Sequence, residues 1–169
     1  MTYNIHPILV HFPIAFLFLY SVVKILPWQK WLPLVSWKHI ERMLLLAGML
    51  GAFAANTTGE LAEELVRVDR QTVEMHSFFA AASLWLYGLL LIGEILTVVI
   101  PVLSARLNSV QISQFLSFFE KILTHKILSK LLAFLGLLAI TLTGLLGGVL
   151  VYGTSADPLA APVLKLLGI

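Results

Sequence analysis

Residues 127–152 read ILSKLLAFLGLLAITLTGLLGGVLVY, and this stretch decides the fold class. It carries one charge, Lys130 near its start, and its apolar residues fall on every side rather than on one helical stripe or on alternate positions. About 20 such residues let a helix cross the hydrocarbon of a bilayer. Three further runs have the same character, at about 8–26, 40–57 and 76–100. Pro27 and Pro33 break the first connection, and Pro101 is expected to stop the third run, because proline lacks an N–H and crowds the preceding turn. The reading is an all-α integral membrane protein: one domain, a four-helix up-down-up-down bundle, with no internal repeat and no low-complexity segment.

The bulk composition agrees. Of the 169 residues 59% are hydrophobic and 12% charged, with a mean hydropathy of +0.95, whereas soluble domains are about 25% charged. A soluble enzyme, a nucleic-acid binder and a disordered tail are excluded, and the polar side chains are few enough to weigh singly. The chain has no cysteine, which removes disulfides, thiolate metal sites, iron–sulfur clusters and haem attached through thioethers. No basic region or small-residue cleavage site frames the first apolar run, so it is expected to be a span rather than a cleaved leader. From Gly59 to Glu74 the sequence is polar and acidic, and the spacing of Leu61, Leu65 and Val68 predicts a short amphipathic helix. From Arg106 to His125, Phe115, Phe118, Phe119, Ile122 and Leu123 recur at helical spacing, which suits a helix lying in the interface.

Cations set the orientation. The connections after the first and third runs hold Lys24, Lys30, Lys38, Arg42, Arg106, Lys121, Lys126 and Lys130, and the other side holds Arg67, Arg70 and Lys165. Eight against three places the first side in the cytoplasm. Both termini and the acidic segment then face outward, as expected for a bacterial plasma-membrane protein with periplasmic ends.

With that topology His11, one turn into the first span, and His76, at the start of the third, stand at similar depth near the outer face. In a bundle of this kind those helices are diagonal across the core. Two imidazoles facing one another there suit a b-type haem, each giving one nitrogen to the iron. The outer half of the second span reads Gly48, Gly51, Ala52, Ala54, Ala55, and that of the fourth reads Gly144, Gly147, Gly148. Alone, these glycines read as close helix packing, since Gly144-x-x-x-Gly148 is an association motif. Set beside the histidines they read as bare backbone making room for a flat cofactor. An interfacial histidine bonded to a carbonyl or water is the plain alternative, but ionisable groups inside spans are expensive and mostly functional.

His6 lies about 140° round an ideal helix from His11, and Pro7 and Pro13 bracket that turn. It is an alternative axial ligand, a propionate donor or a surface residue. Arg67 and Arg70, with Asn56, Thr57, Thr58 and Glu60, are natural partners for haem propionates, while Glu63 and Glu64 read as a solvated face. A second pair, His39 and His125, mirrors the first at the cytoplasmic side, but the facing half of the first span, Phe16 to Tyr20, offers no bare backbone. Glu94, about 27 Å along the helix from His76, is expected to pair with Arg42 or Lys130.

The opening His6-Pro7-Ile8-Leu9-Val10-His11-Phe12-Pro13-Ile14-Ala15 resembles the signature of a bacterial membrane-protein family, domain of unknown function 2231. Thr58-Gly59-Glu60, His76 and the closing Gly147-Gly148-Val149-Leu150-Val151-Tyr152-Gly153 are similar to its pattern in the same order over nearly the whole chain. The chain departs at the end, where relatives tend to carry His-Gly after the tyrosine and Gly153-Thr154 stands here. His39 and His125 match nothing in that pattern. The family label carries no activity; relatives that look fused to Rieske-type or c-type cytochrome domains imply redox work at the outer face.

The expectation is a b-type cytochrome-like electron carrier, or a redox-complex subunit, in the lipid bilayer, with other subunits or an outer-face cytochrome as partners. A His-rich, thiol-free metal site of His6, His11, His76 and Glu60 or Glu64, suited to zinc, copper or iron, is the second reading. A chlorophyll-type pigment and a purely structural subunit complete the set. No nucleophile–base pair marks an enzyme.

Overall fold

The computed structural model describes residues 5–65, 69–107, 110–155 and 157–169, and among them every regular element is a helix. In chain order these are α1 (His6–Leu9), α2 (His11–Ile25), α3 (Trp28–Trp31), α4 (Trp37–Leu65), α5 (Arg70–Leu107), α6 (Val110–Leu123), α7 (Lys126–Tyr152) and α8 (Ala160–Leu167). Three segments are long and apolar enough to cross a membrane: His6–Ile25, Arg70–Ala105 and Lys126–Tyr152. The second expected run lies in α4, which is 29 residues long but is not among those three. Lys38, Glu41 and Arg42 at its start and Asn56 further on dilute its apolar character.

Two local expectations are corrected. The polar segment from Gly59 to Glu74 is not a separate amphipathic helix. Its first part prolongs α4 to Leu65, and its last part opens α5. The hydroxyls of Thr57 and Thr58 donate back to the carbonyls of Ala54 and Ala55, so these threonines sit within the helix without an unpaired group. Val68 and Arg67 lie outside the described residues. Pro101 does not stop the third run either, for α5 continues through it to Leu107. It falls beyond Leu90, the last buried core residue on α5, where the hydroxyls of Thr97 and Ser104 donate to the carbonyls of Glu94 and Ile100 and a single missing backbone bond is tolerated. At the start, Pro13 has no N–H for the Leu9 carbonyl, and the helix breaks at Val10 between α1 and α2. Gly153, at φ 76°, ends α7 with its N–H on the Val149 carbonyl.

Side chains that meet across the helices give their directions. Leu17 faces Gly48, Pro13 faces Gly51 and His6 faces Gly59, so α1 and α2 run antiparallel to α4. Met49 approaches Gly88 and Arg42 pairs with Glu94, which makes α4 antiparallel to α5. Tyr87 covers Gly136 and His76 covers Gly147, so α7 is antiparallel to α5. Ile14 by Gly144 and Lys130 on the Ile25 carbonyl do the same for α2 and α7. α6 folds back on the far end of α5, with Leu123 against Gly93.

The core is Leu17, Tyr20, Leu45, Met49, Tyr87, Leu90, Leu132, Ala133 and Ile140. Its fixed point is Tyr87, fully buried on α5. The phenol donates to the Leu17 carbonyl at 3.2 Å and accepts from the Ser21 hydroxyl at 2.7 Å, both on α2, and Tyr20 meets its ring edge-on at 6.0 Å. Outside, Leu46, Leu50, Phe53, Trp85, Ile92, Phe134 and Leu138 are exposed, a surface stable against hydrocarbon rather than water. At one end Trp28 stacks on Trp37 at 5.3 Å, and each indole N–H donates to a carbonyl, of Val22 and Leu32 respectively. Charged groups gather at that same end. Lys24 pairs with Glu41 at 2.9 Å, and Arg42 with Glu94 at 2.8 Å and Thr97 at 2.9 Å. The expected Glu94 pair is thus with Arg42, while Lys130 donates to the Ile25 carbonyl instead.

A Cβ on Gly136 would lie 2.8 Å from the Tyr87 ring, and one on Gly148 meets nothing within 4 Å. Gly136→Ala is therefore expected to lower stability by about 1–3 kcal/mol, whereas Gly148→Ala is neutral or adds up to about 1 kcal/mol of helix propensity. Thermal unfolding in detergent reads both; equal effects at the two positions would contradict this packing.

Candidate functional site

At the end of the molecule opposite the tryptophans, two histidines are seated in the same way. His6, on α1, lies with its ring edge 3.2 Å from where a Cβ of Gly59 would stand. Its Nδ1 shares a 3.0 Å hydrogen bond with the Thr58 hydroxyl, and the ring is also bonded to the backbone of Ala55. His76, in the second turn of α5, lies 3.3 Å from the Cβ position of Gly147. Its Nδ1 is 3.0 Å from the Thr143 carbonyl. A carbonyl only accepts, so Nδ1 carries the proton and Nε2 carries the lone pair. Both rings are half-buried.

The start of α5 is set by Asp69, whose carboxylate accepts from the Thr72 hydroxyl at 2.7 Å and the Thr72 N–H at 2.9 Å, an N-terminal cap. These bonds hold the exposed Asp69 carboxyl below its ordinary range.

The seats repeat. His76 follows His6 by 70 residues, and Tyr87 follows Leu17 by the same 70. On the facing helices Gly136 follows Gly48 by 88, Thr143 follows Ala55 by 88 and Gly147 follows Gly59 by 88. In each half a large side chain covers the first glycine and, eleven residues away, a histidine covers the second while bonding to the backbone four residues before it. Eleven residues are close to three full helical turns, about 16 Å, so both contacts fall on one face. The seating of α1–α2 on α4 thus resembles that of α5 on α7 at these two levels. Sequence similarity is too slight to reveal it, since Leu17 answers to Tyr87 and Ala55 to Thr143.

Other expected site residues are placed differently. His11 is exposed on α2 and hydrogen-bonds to nothing among the described residues, whereas His6 lies on Thr58 and Gly59. The break at Val10 explains the change, because it frees α1 to lay His6 on α4. Gly48 and Gly51 do not leave open space, for Leu17 and Pro13 fill it, and Ile14 approaches Gly144 at 3.5 Å. Gly148 alone of the five borders nothing within 4 Å. Arg70 is exposed and paired with Glu74 one turn along its own helix at 3.0 Å. Arg67 and the side chains of Glu63 and Glu64 lie outside the described residues, and Glu60 is exposed. His39 and His125 stand exposed at the starts of α4 and α7. The Thr143 carbonyl was invisible to residue-type reasoning, because a backbone acceptor leaves no mark in the sequence.

Chemically, the site offers two imidazoles. Among the described residues no three His, Cys, Asp or Glu side chains gather as a metal cluster. A bare zinc ion asks for three or four protein donors, whereas a macrocycle supplies four nitrogens itself and needs only axial ligands. Comparison with protein-family models, curated proteins and solved structures finds no match to this chain.

Histidine-selective 15N NMR is expected to find neutral His76 as the Nδ1–H tautomer. Gly147→Leu should expel the ring and return His76 to the Nε2–H form favoured in water. An unchanged spectrum in that variant would mean that the glycine seat does not hold the ring.

Proposed function

We propose that this chain is a membrane-embedded b-type cytochrome-like electron carrier, or the subunit of a redox complex, with His6 and His76 as the axial pair. One observation carries the reading: two histidines are seated alike, His6 over Gly59 and on the Thr58 hydroxyl, His76 over Gly147 and on the Thr143 carbonyl, which leaves the lone pair of the neutral His76 ring on Nε2. Donating Nδ1–H to a carbonyl is how ligating histidines are oriented and made more basic. Among the described residues no three His, Cys, Asp or Glu side chains gather, which favours haem over a lone ion. When bound, haem supplies one-electron chemistry. Around it, Thr143 and Thr58 hold the imidazoles at fixed angles, Gly59 and Gly147 let the rings lie close to the backbone, and the apolar helices below keep water from the inner side.

The membrane arrangement belongs to the same proposal. α4 joins the three apolar segments as a fourth span, its charged start satisfied by Lys24 and Glu94, giving an up-down-up-down bundle. The excess of cations at the tryptophan end puts that end in the cytoplasm and the histidines at the outer face of a bacterial plasma membrane. Motifs that resemble the 2231 family meet in pairs at that end, His6 with Thr58-Gly59 and His76 with Gly147, and we take the chain as its relative. The partner is then a redox protein meeting the outer surface.

The absorbance of the purified protein tests this directly. Haem bands that sharpen with dithionite are expected, lost in His6→Ala and in His76→Ala, and kept in His11→Ala, with helix content by circular dichroism unchanged throughout. Stoichiometric metal without visible absorbance would support a lone-ion site, and neither signal would leave a structural subunit. Because the chain lacks cysteine, single cysteines report orientation: Ser155→Cys should be labelled from outside the cell and Gln29→Cys should not.

A further inference from the structure

The two matching halves differ in their connections. The offset grows from 70 on α5 to 88 on α7, and the eighteen additional residues go to the prolonged end of α5 and to α6, where the first half has only the short α3. α6 is not needed to seat the histidines, and it builds two adjoining grooves at the tryptophan end. One, of about 420 Å³, is lined by Ser104 of α5 and Ser113, Gln114, Ser117, Phe118 and Lys121 of α6. The other, of about 380 Å³, is lined by Phe118, Lys121, Ile122, His125 and Leu128. The first is half polar, offering hydroxyls, an amide and an ammonium. The second is walled mainly by Phe118, Ile122 and Leu128. Phe118 and Lys121 stand on the border of both.

Ser113, Ser117 and Lys121 follow one another at four-residue intervals, so they form a single stripe down α6. Beside it runs the apolar stripe of Phe115, Phe118, Phe119 and Ile122, all exposed. Lys121 pairs with no carboxylate among the described residues, while Lys126 lies exposed nearby. A hydroxyl-lined cationic groove that continues into an apolar one has the shape and charge of one class of molecule.

We infer that α6 and the end of α5 form a binding site for an anionic phospholipid of the inner leaflet. The phosphate sits by Lys121, Ser117 and Ser113, and an acyl chain lies along Phe118, Ile122 and Leu128. The site depends on neither haem nor the histidines, so it stands or falls apart from the electron-transfer reading.

Native mass spectrometry of the full chain in detergent, with dioleoylphosphatidylglycerol and dioleoylphosphatidylcholine supplied in equal amounts, tests it. One lysine at a membrane surface favours the anionic lipid about fivefold, and that ratio is expected for the native chain and for Lys165→Gln at the other end. Lys121→Gln should bring the ratio to about one, and Phe118→Ala should weaken retention of both lipids. Since Lys121 holds no ion pair among the described residues, Lys121→Gln should unfold at the same temperature as the native chain in lipid-free detergent. Equal retention of the two lipids by the native chain, an unchanged preference in Lys121→Gln, or displacement of phosphatidylglycerol by excess inorganic phosphate would each overturn the assignment.

Discussion

The phenol of Tyr87 has to be satisfied where no water reaches it, and the register of the bundle follows from that constraint. A buried hydroxyl without a partner costs several kcal/mol in an apolar medium, roughly 2–7 depending on the reference. Tyr87 answers it by reaching across the core from α5 to the Leu17 carbonyl and the Ser21 hydroxyl on α2. The reach is possible because Gly136 has no side chain where the ring lies. One residue thereby fixes the relative height of α2, α5 and α7, helices whose apolar surfaces would otherwise slide past one another with little penalty.

That height is transmitted to the histidines. Three turns along α5 from Tyr87 comes His76, and three turns along α7 from Gly136, in the opposite chain direction, comes Gly147. The same step on the other half runs from Leu17 to His6 and from Gly48 to Gly59. A knob over a glycine at mid-bundle is therefore matched by an imidazole over a glycine at the end away from the tryptophans, twice. The ion pairs of Lys24, Glu41, Arg42 and Glu94 close the opposite end, where partial exposure keeps desolvation affordable. The molecule thus divides into a packed middle, ion pairs at one end and two glycine-seated imidazoles at the other.

Much of this was legible in the residues. The unbroken apolar runs announce membrane-length helices, and the crowd of lysines marks one end. The scarcity of polar groups draws attention to the histidines, and the structure seats His76 over Gly147. Other features were not legible, for identifiable reasons. Pro13 acts on the turn before it, so the break at Val10 and the turn of His6 toward α4 depend on what α4 offers there, namely Gly59 and Thr58. The glycines carry two meanings in sequence, open space or close contact, and only the presence of Leu17, Pro13 and Ile14 opposite them distinguishes the two. Pro101 reads as a stop until the helix around it is seen to have left the core.

By itself, then, the sequence determined that this is a chain of apolar helices with its cations at one end, because hydrophobicity and charge act residue by residue and need no partner. Only the tertiary structure decided which histidine lies over which glycine, what fills the space beside the other glycines, and that the two seats are alike. Those are properties of pairs. A contact between His76 and Thr143, or between Tyr87 and Gly136, exists only once two distant turns have been brought to the same height, and no single residue carries a record of its neighbour.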